Sequence, residues 1–105
     1  MEELKKFVLL FRDNRSWKQF HTPENLAKSI SIEAAELLEN FQWGSKDYDI
    51  ENIKDELADI MTYVILFADC FDFDLEQIVL EKLKKNEEKY PVSKAYGKST
   101  KYNKL

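Results

Sequence analysis

Residues 26–67 read LAKSISIEAAELLENFQWGSKDYDIENIKDELADIMTYVILF, and this stretch decides the fold. Apolar residues recur in it every three or four positions, first from Leu26 to Phe41 and then from Ile53 to Phe67. This spacing places apolar side chains on one face of an α-helix. The stretch therefore predicts two amphipathic helices with a short connection between them.

Helix-boundary residues delimit this pair. Thr22 is a favoured cap residue, and Pro23 suits the first helical turn. Gly44 is typical of a helix end, and a short loop over residues 45–49 follows it. Because so few residues join them, the two helices are expected to run antiparallel.

Two further helices are predicted, one before this pair and one after it. Near the start of the chain, apolar residues follow helical spacing from Leu4 to Phe11. Near its end, Asp74 can cap a fourth helix, which Pro91 ends. Since no stretch alternates as a strand does, we expect an all-α, four-helix fold that assembles as an oligomeric helical bundle.

Length and charge bound the organisation of the chain. Its 105 residues suit one domain, which we place at residues 1–92, followed by a basic tail at residues 93–105. Residues 91–105 hold four lysines and no acidic residue, whereas the whole chain has a net charge of −4. An acidic body lacks the basic face that a duplex-DNA binder needs. We therefore expect no nucleic-acid polymer as a partner.

Other features of the sequence concern its compartment and assembly. The N-terminus, MEELKK, is charged and unlike a signal peptide, and no apolar run approaches the roughly 20 residues of a membrane span. The single cysteine, Cys70, excludes an intrachain disulfide and is expected to be buried. Aromatic residues form 13% of the chain, more than a small core hides. We expect a cytoplasmic protein without a membrane partner, with an oligomer interface, a ligand pocket or both.

Two pairs of acidic residues carry the candidate chemistry. Glu33 and Glu36 lie on the second predicted helix, and Glu56 and Asp59 lie on the third. A spacing of three residues puts both members of a pair on one helix face. Apolar neighbours surround each pair, and antiparallel helices would bring all four carboxylates together, where they repel without a cation. Oxygen ligands of this kind favour Mg²⁺ or Mn²⁺.

Other interpretations of the acidic pairs differ in class. A di-iron site would need histidine three residues after glutamate on its helices, and the single histidine, His21, lies outside both pairs. Bound Mg²⁺ usually keeps substrate phosphates as ligands, which indicates a nucleotide or another polyphosphate. The alternative is that the carboxylates are solvated surface charge on a non-catalytic helical scaffold or partner-binding protein.

Aromatic residues near the acidic pairs indicate a pocket for a base. Trp43 lies seven residues after Glu36, two turns along the same helix face and about 10 Å away. Tyr63 follows Asp59 by four residues and shares its face. Trp17 and its neighbours come just before the second helix. An aromatic pocket at this distance from a metal site fits the base of a bound nucleotide.

The acidic pairs, with WKQFH at residues 17–21 and FQW at residues 41–43, resemble the MazG-like superfamily of all-α NTP pyrophosphohydrolases. Within that superfamily the chain is most similar to the dCTP pyrophosphatase branch. The resemblance implies that the catalytic, Mg²⁺-binding residues are Glu33, Glu36, Glu56 and Asp59. The residues that it assigns to nucleoside and phosphate binding are Trp17, Lys18, Gln19, Phe20, His21, Trp43, Tyr63, Lys82 and Asn86.

The resemblance also implies a reaction and an assembly. A homodimer or homotetramer would hydrolyse dCTP or a modified pyrimidine deoxynucleotide to its monophosphate and pyrophosphate. Some dCTP-preferring relatives carry histidine where this chain has Val8. Because of this difference, the resemblance does not determine which base is preferred. The alternative is that the same fold hydrolyses another nucleotide such as dUTP.

Overall fold

The computed structural model describes residues 1–44 and 48–105, and in these ranges the regular structure is entirely helical. The predicted all-α fold is therefore confirmed. Short 3₁₀ turns at Lys18–Phe20 and Tyr102–Lys104 accompany the α-helices. Four long helices match the predicted ones, and the short α5 is additional. The helices are α1 (Glu2–Asn14), α2 (Pro23–Glu39), α3 (Ile50–Cys70), α4 (Leu75–Lys89) and α5 (Val92–Ala95).

The helix starts follow the predicted capping pattern. The Thr22 side chain accepts a hydrogen bond from the Asn25 backbone N–H at 3.2 Å, and α2 begins with proline. The Asp74 carboxylate accepts from the Gln77 N–H at 3.1 Å and starts α4 in the same way. These bonds satisfy N–H groups that lack a partner within the helix. The caps predicted at both positions are confirmed.

The C-terminal end of α2 differs from the prediction, because the helix stops at Glu39 instead of continuing towards Gly44. The N–H groups of residues 40–42 bond to carbonyls three positions back, which tightens the chain into turns. The Asn40 side chain stabilises this end by donating to the Leu37 carbonyl at 3.3 Å. Gly44 adopts the left-handed conformation with φ 62°. In the predicted loop over residues 45–49, residues 45–47 lie outside the described residues.

The helices α2 and α3 form an antiparallel hairpin. At one end, the Asn40 amide donates to the Asn52 side chain at 2.9 Å. At the other end, the Cys70 thiol lies 3.5 Å from the His21 carbonyl oxygen, which it can use as an acceptor. These contacts place the C-terminal end of α2 beside the N-terminal end of α3, and the N-terminal end of α2 beside the C-terminal end of α3. This pairing brings the two acidic segments together.

The first compact unit of the chain, Met1–Phe73, holds a small core. Its buried apolar residues are Leu26 of α2 and, on α3, Ile65, Leu66 and Ala68. Helix α1 also contacts α3. Cys70 is exposed, so the prediction that it is buried was wrong. It is the last residue of α3, beyond the turns that pack in the core.

The second compact unit, Asp74–Leu105, contains α4, α5 and the segment predicted to be a basic tail. Tyr102 packs edge-on against Tyr90, with ring centroids 6.0 Å apart, and the Lys89 amine lies 4.8 Å from the Tyr102 ring. The tail is therefore partly helical and packs on residues at the end of α4. The domain boundary at residue 92 remains a prediction. Across both described ranges, no helix combines the length and the apolarity needed to cross a membrane.

Candidate metal centre and nucleotide pocket

Three carboxylates from α2 and α3 converge at one place on the hairpin. One oxygen from each of Glu33, Glu56 and Asp59 lies within 4.8 Å of the other two. Glu33 comes from α2 and the other two from α3, so only the antiparallel pairing of the helices creates the group. Three oxygens at this spacing can hold one divalent cation.

Glu33 is the residue most affected by this convergence. Its pKa is raised to about 7, first by a hydrogen bond with Glu56, then by burial, and then by a hydrogen bond and the negative charge from Glu36. The Oε2 atoms of Glu33 and Glu56 are both buried and have no hydrogen-bond partner among the described residues. Buried polar atoms normally have a partner. Orphaned carboxylate oxygens that face other carboxylates therefore fit a hard divalent cation.

Glu36 lies next to this group but is not one of the three closest residues. It is one turn beyond Glu33 on α2, half-buried, and close enough to raise the pKa of Glu33. Its carboxylate can complete the ligand set from the same helix. The role of Glu36 as a fourth ligand remains a prediction.

A cavity of about 420 Å³ adjoins the acidic group. Asp59 belongs both to the acidic group and to the cavity wall, and Tyr63 lines the cavity one turn further along α3. Burial raises the pKa of Tyr63, and so do the negative charges of Glu33, Asp59 and Glu36. The acidic group and the cavity are therefore parts of one site.

The predicted nucleoside-binding residues divide into two sets. Trp17, His21 and Tyr63 line the cavity. Lys18, Gln19 and Phe20 form the exposed 3₁₀ turn between Trp17 and His21 and do not line it. Trp43 also lies outside it and is 85% exposed.

Lys82 and Asn86, the predicted phosphate ligands, lie one turn apart on α4 in the second compact unit. Lys82 is exposed and Asn86 is half-buried. Their contact with phosphates remains a prediction.

The surroundings of His21 in the cavity wall favour its neutral form. Burial lowers its pKa, and the positive charge of Arg12 lowers it further. Its Nδ1 atom is buried and makes no hydrogen bond with the part of the chain that the structure describes. The ring lies edge-on to Trp17, with centroids 6.3 Å apart. An imidazole held in this way can exchange a hydrogen bond with a polar ligand.

Arg12 was missed by the sequence reasoning, although it lines the same cavity. It is only 5% exposed. Its Nε donates to the Asp13 carboxylate and its Nη1 to the Asp69 carboxylate, each at 2.8 Å. Arg12 follows Val8 by four residues and so lies on the apolar stripe of α1. The position of an arginine within an apolar stripe is the feature of the sequence that could have identified this residue.

Comparison with known proteins identifies the family. The model of the MazG-like family matches residues 28–105, nearly three quarters of the chain. The chain belongs to the MazG-like family. The matched segment contains both acidic pairs, Glu33 with Glu36 and Glu56 with Asp59.

Individual relatives of this MazG-like chain agree with the assignment. It is 32% identical to dCTP pyrophosphatase 1 of Mus musculus over 114 aligned positions, which cover 100% of this chain and 67% of that protein. The same protein of Bos taurus is 33% identical, with 68% of it covered. The crystal structure of a pyrophosphatase from Archaeoglobus fulgidus is similar with a TM-score of 0.77 and 43% identity, covering 87% of this chain and 92% of that one.

These findings confirm the predicted class of enzyme. The MazG-like chain is a nucleotide pyrophosphohydrolase with an all-α fold. Its substrate is a nucleotide, and its acidic group is suited to the divalent metal that such enzymes use.

Proposed function

We propose that this MazG-like enzyme uses Mg²⁺ to hydrolyse a pyrimidine deoxynucleoside triphosphate, dCTP or a modified form of it, to its monophosphate and pyrophosphate. One observation carries the proposal: Asp59 belongs at once to the acidic group and to the wall of the aromatic cavity. A triphosphate placed at the acidic group would therefore lie beside a pocket that can take its base. The relatives named dCTP pyrophosphatase 1 support the choice of base.

The acidic residues would hold the metal and the attacking water. Glu33, Glu56 and Asp59, completed by Glu36, offer only oxygen ligands, which suit Mg²⁺ and also Mn²⁺. When bound, the ion would offset the charge of the triphosphate and make a nearby water a better nucleophile. One carboxylate of the group would accept the proton of that water as it attacks the α-phosphorus. Pyrophosphate would leave intact, because the bond between its two phosphate groups is not broken.

The cavity would hold the nucleoside by stacking and by excluding water. Phe11 lies edge-on to Trp17 with ring centroids 5.8 Å apart, and both residues line the cavity. Such rings bind a base through its flat face, without regard to which base it is. The polar groups that line the same cavity would therefore determine which base is bound.

We also propose that the enzyme acts as a homodimer or homotetramer. Large apolar side chains on the α2–α3 hairpin are exposed, among them Leu38 at 68% and Leu57 at 59%. Apolar surface that a fold leaves exposed commonly marks a protein interface where it is extensive. Trp43 lies outside the cavity and is 85% exposed, so a neighbouring subunit would be able to cover its ring.

A substrate panel tests the proposed function. Canonical and modified deoxynucleoside triphosphates are incubated with the enzyme and Mg²⁺, and the products are separated by chromatography. We expect the highest kcat/KM for dCTP or a modified pyrimidine, with monophosphate and pyrophosphate as products. A clear preference for dUTP would instead support the alternative substrate, and a preference for a purine would contradict the proposal.

A further inference from the structure

Arg12 is a buried cation in the wall of the nucleotide cavity, and the proposed chemistry of metal and phosphate does not use it. Its partner Asp69 lies ten residues beyond Asp59 on α3, which is about 15 Å of helix rise. The guanidinium is therefore anchored towards the end of the cavity that lies away from the acidic group. A nucleotide whose phosphates lie at Asp59 would direct its base towards that end.

The hydrogen bonds of Arg12 leave part of its donor capacity free. Arginine carries five N–H groups and no acceptor. Within residues 1–44 and 48–105, its side chain donates one bond to Asp13 and one to Asp69. The remaining N–H groups belong to a residue that lines the cavity. An acceptor that enters the cavity would meet a residue whose N–H groups outnumber these two bonds.

A purely structural role explains this arrangement poorly. Removing a charge from water is costly, and a buried ion pair often stabilises a fold no better than apolar residues of similar size. Phe7, Val8 and Leu66 already supply apolar walls to the same cavity. The carboxylate of Asp69 on another helix holds a cation beside the cavity, where a charged donor can bond strongly to a polar ligand.

We propose that Arg12 is a specificity-determining residue that donates a hydrogen bond to an exocyclic carbonyl oxygen of the base. This inference rests on the proposed function and deepens it, because it names a group that would distinguish adenine from the other bases. Cytosine, uracil, thymine and guanine each carry such an oxygen. Adenine carries an amino group instead, which would meet the donors of Arg12 with donors of its own. Asp69 is a positioning residue that fixes the direction of the guanidinium.

The test compares nucleotides that differ in this one feature. We measure kcat/KM for dCTP, dUTP and dATP with the unaltered enzyme and with the double variant Arg12→Gln, Asp69→Asn, which replaces the ion pair by two neutral amides. A hydrogen bond from a charged donor contributes strongly to binding. Its loss should therefore lower the kcat/KM ratios dCTP:dATP and dUTP:dATP by about tenfold or more. The value for dATP should stay within about twofold. A merely structural role would lower all three values together and leave the ratios unchanged.

Controls separate charge, folding and base recognition. Lys28 and Glu24 form an exposed ion pair at 3.2 Å on α2, and neither lines the cavity, so the control variant Glu24→Gln, Lys28→Gln neutralises an ion pair without changing the cavity wall. Its ratios should equal those of the unaltered enzyme. If circular dichroism shows that Arg12→Gln, Asp69→Asn does not fold, the ratios are measured with Arg12→Lys instead. This variant keeps a cation for Asp69 but lacks the planar set of N–H groups.

The outcomes distinguish this inference from the proposed function. Ratios within twofold of the unaltered values in a folded Arg12 variant would overturn the role of Arg12 and leave the enzyme activity standing. An unaltered enzyme that prefers dATP would also overturn it. An enzyme that hydrolyses no triphosphate in the presence of Mg²⁺ would overturn both.

Discussion

The contact of Glu56 on α3 with Glu33 on α2 is the largest cause of the raised pKa of Glu33, which is about 7. The two residues are 23 positions apart in the sequence and belong to different helices. Each keeps a buried Oε2 atom without a hydrogen-bond partner among the described residues. This contact links the stability of the metal-free enzyme to pH and to divalent cations.

The stability of the metal-free enzyme should fall as the pH rises from about 5 to above 7. The folded protein binds the Glu33 proton more tightly than the unfolded chain, whose pKa has the ordinary value of 4.5. The resulting stabilisation is fully present below pH 4.5 and is lost as the pH rises through about 7. Thermal unfolding at pH 5, 6, 7 and 8 measures it. Mg²⁺ should restore stability most strongly at pH 8, because it binds the ionised carboxylates.

Two variants isolate this effect from other titrating groups. Glu33→Gln should flatten the pH dependence and weaken the stabilisation by Mg²⁺. Glu39→Gln changes an exposed acid at the end of the same helix and should change neither. Identical pH profiles for Glu33→Gln and Glu39→Gln would show that the contact with Glu56 does not control the stability.

Removal of a proposed metal ligand should abolish turnover without unfolding the protein. For Glu36→Ala or Asp59→Ala we expect kcat/KM to fall by more than about a hundredfold. Helix content should be unchanged, because the loss of one negative charge relieves repulsion in the acidic group. Asp55→Asn, which alters an exposed acid next to Glu56, should keep nearly full activity. Near-normal activity of both alanine variants would place the metal site elsewhere.

Trp17 should contribute to binding more than to chemistry. Trp17→Ala removes a ring that lines the cavity and should raise KM by about tenfold, the equivalent of one stacked base, while kcat changes little. Steady-state kinetics with dCTP measures both constants. Phe73→Leu alters an aromatic residue outside the cavity and should leave KM unchanged. An unchanged KM for Trp17→Ala with every nucleotide would remove this ring from the binding site.

The enzyme should be a dimer or tetramer at micromolar concentration. Leu38→Asp places a charge on an exposed apolar position of α2 and should shift light scattering towards the monomer. Lys28→Glu changes an exposed charge on the same helix and should leave the oligomer intact. A well-folded monomer of the unaltered chain would contradict the proposed assembly.

Hydrolysis in ¹⁸O-labelled water should put the label in the monophosphate. Water attacks the α-phosphorus in the proposed mechanism, so the leaving pyrophosphate receives no oxygen from the solvent. Mass spectrometry of the separated products measures the label. Nucleoside diphosphate should not accumulate at early times. Label in pyrophosphate would mean attack at the β-phosphorus, and the proposed mechanism would then be wrong.

The sequence by itself determined those features that depend on neighbouring residues. The caps at Thr22 and Asp74 and the helical spacing of apolar residues predicted four helices that the structure contains. The three-residue spacing within each acidic pair placed its members on one face. Backbone hydrogen bonds and a fixed helical period operate over a few positions, so local sequence is enough to predict them.

Only the tertiary structure decided which distant residues meet. Arg12 contacts Asp69 across 57 positions, and three segments from α1, the following turn and α3 build one cavity around them. It also showed that α2 ends at Glu39, where Asn40 bonds to α3, and that Trp43 lies outside the cavity. Such contacts depend on how helices pack and cross, which the period of a single helix does not specify.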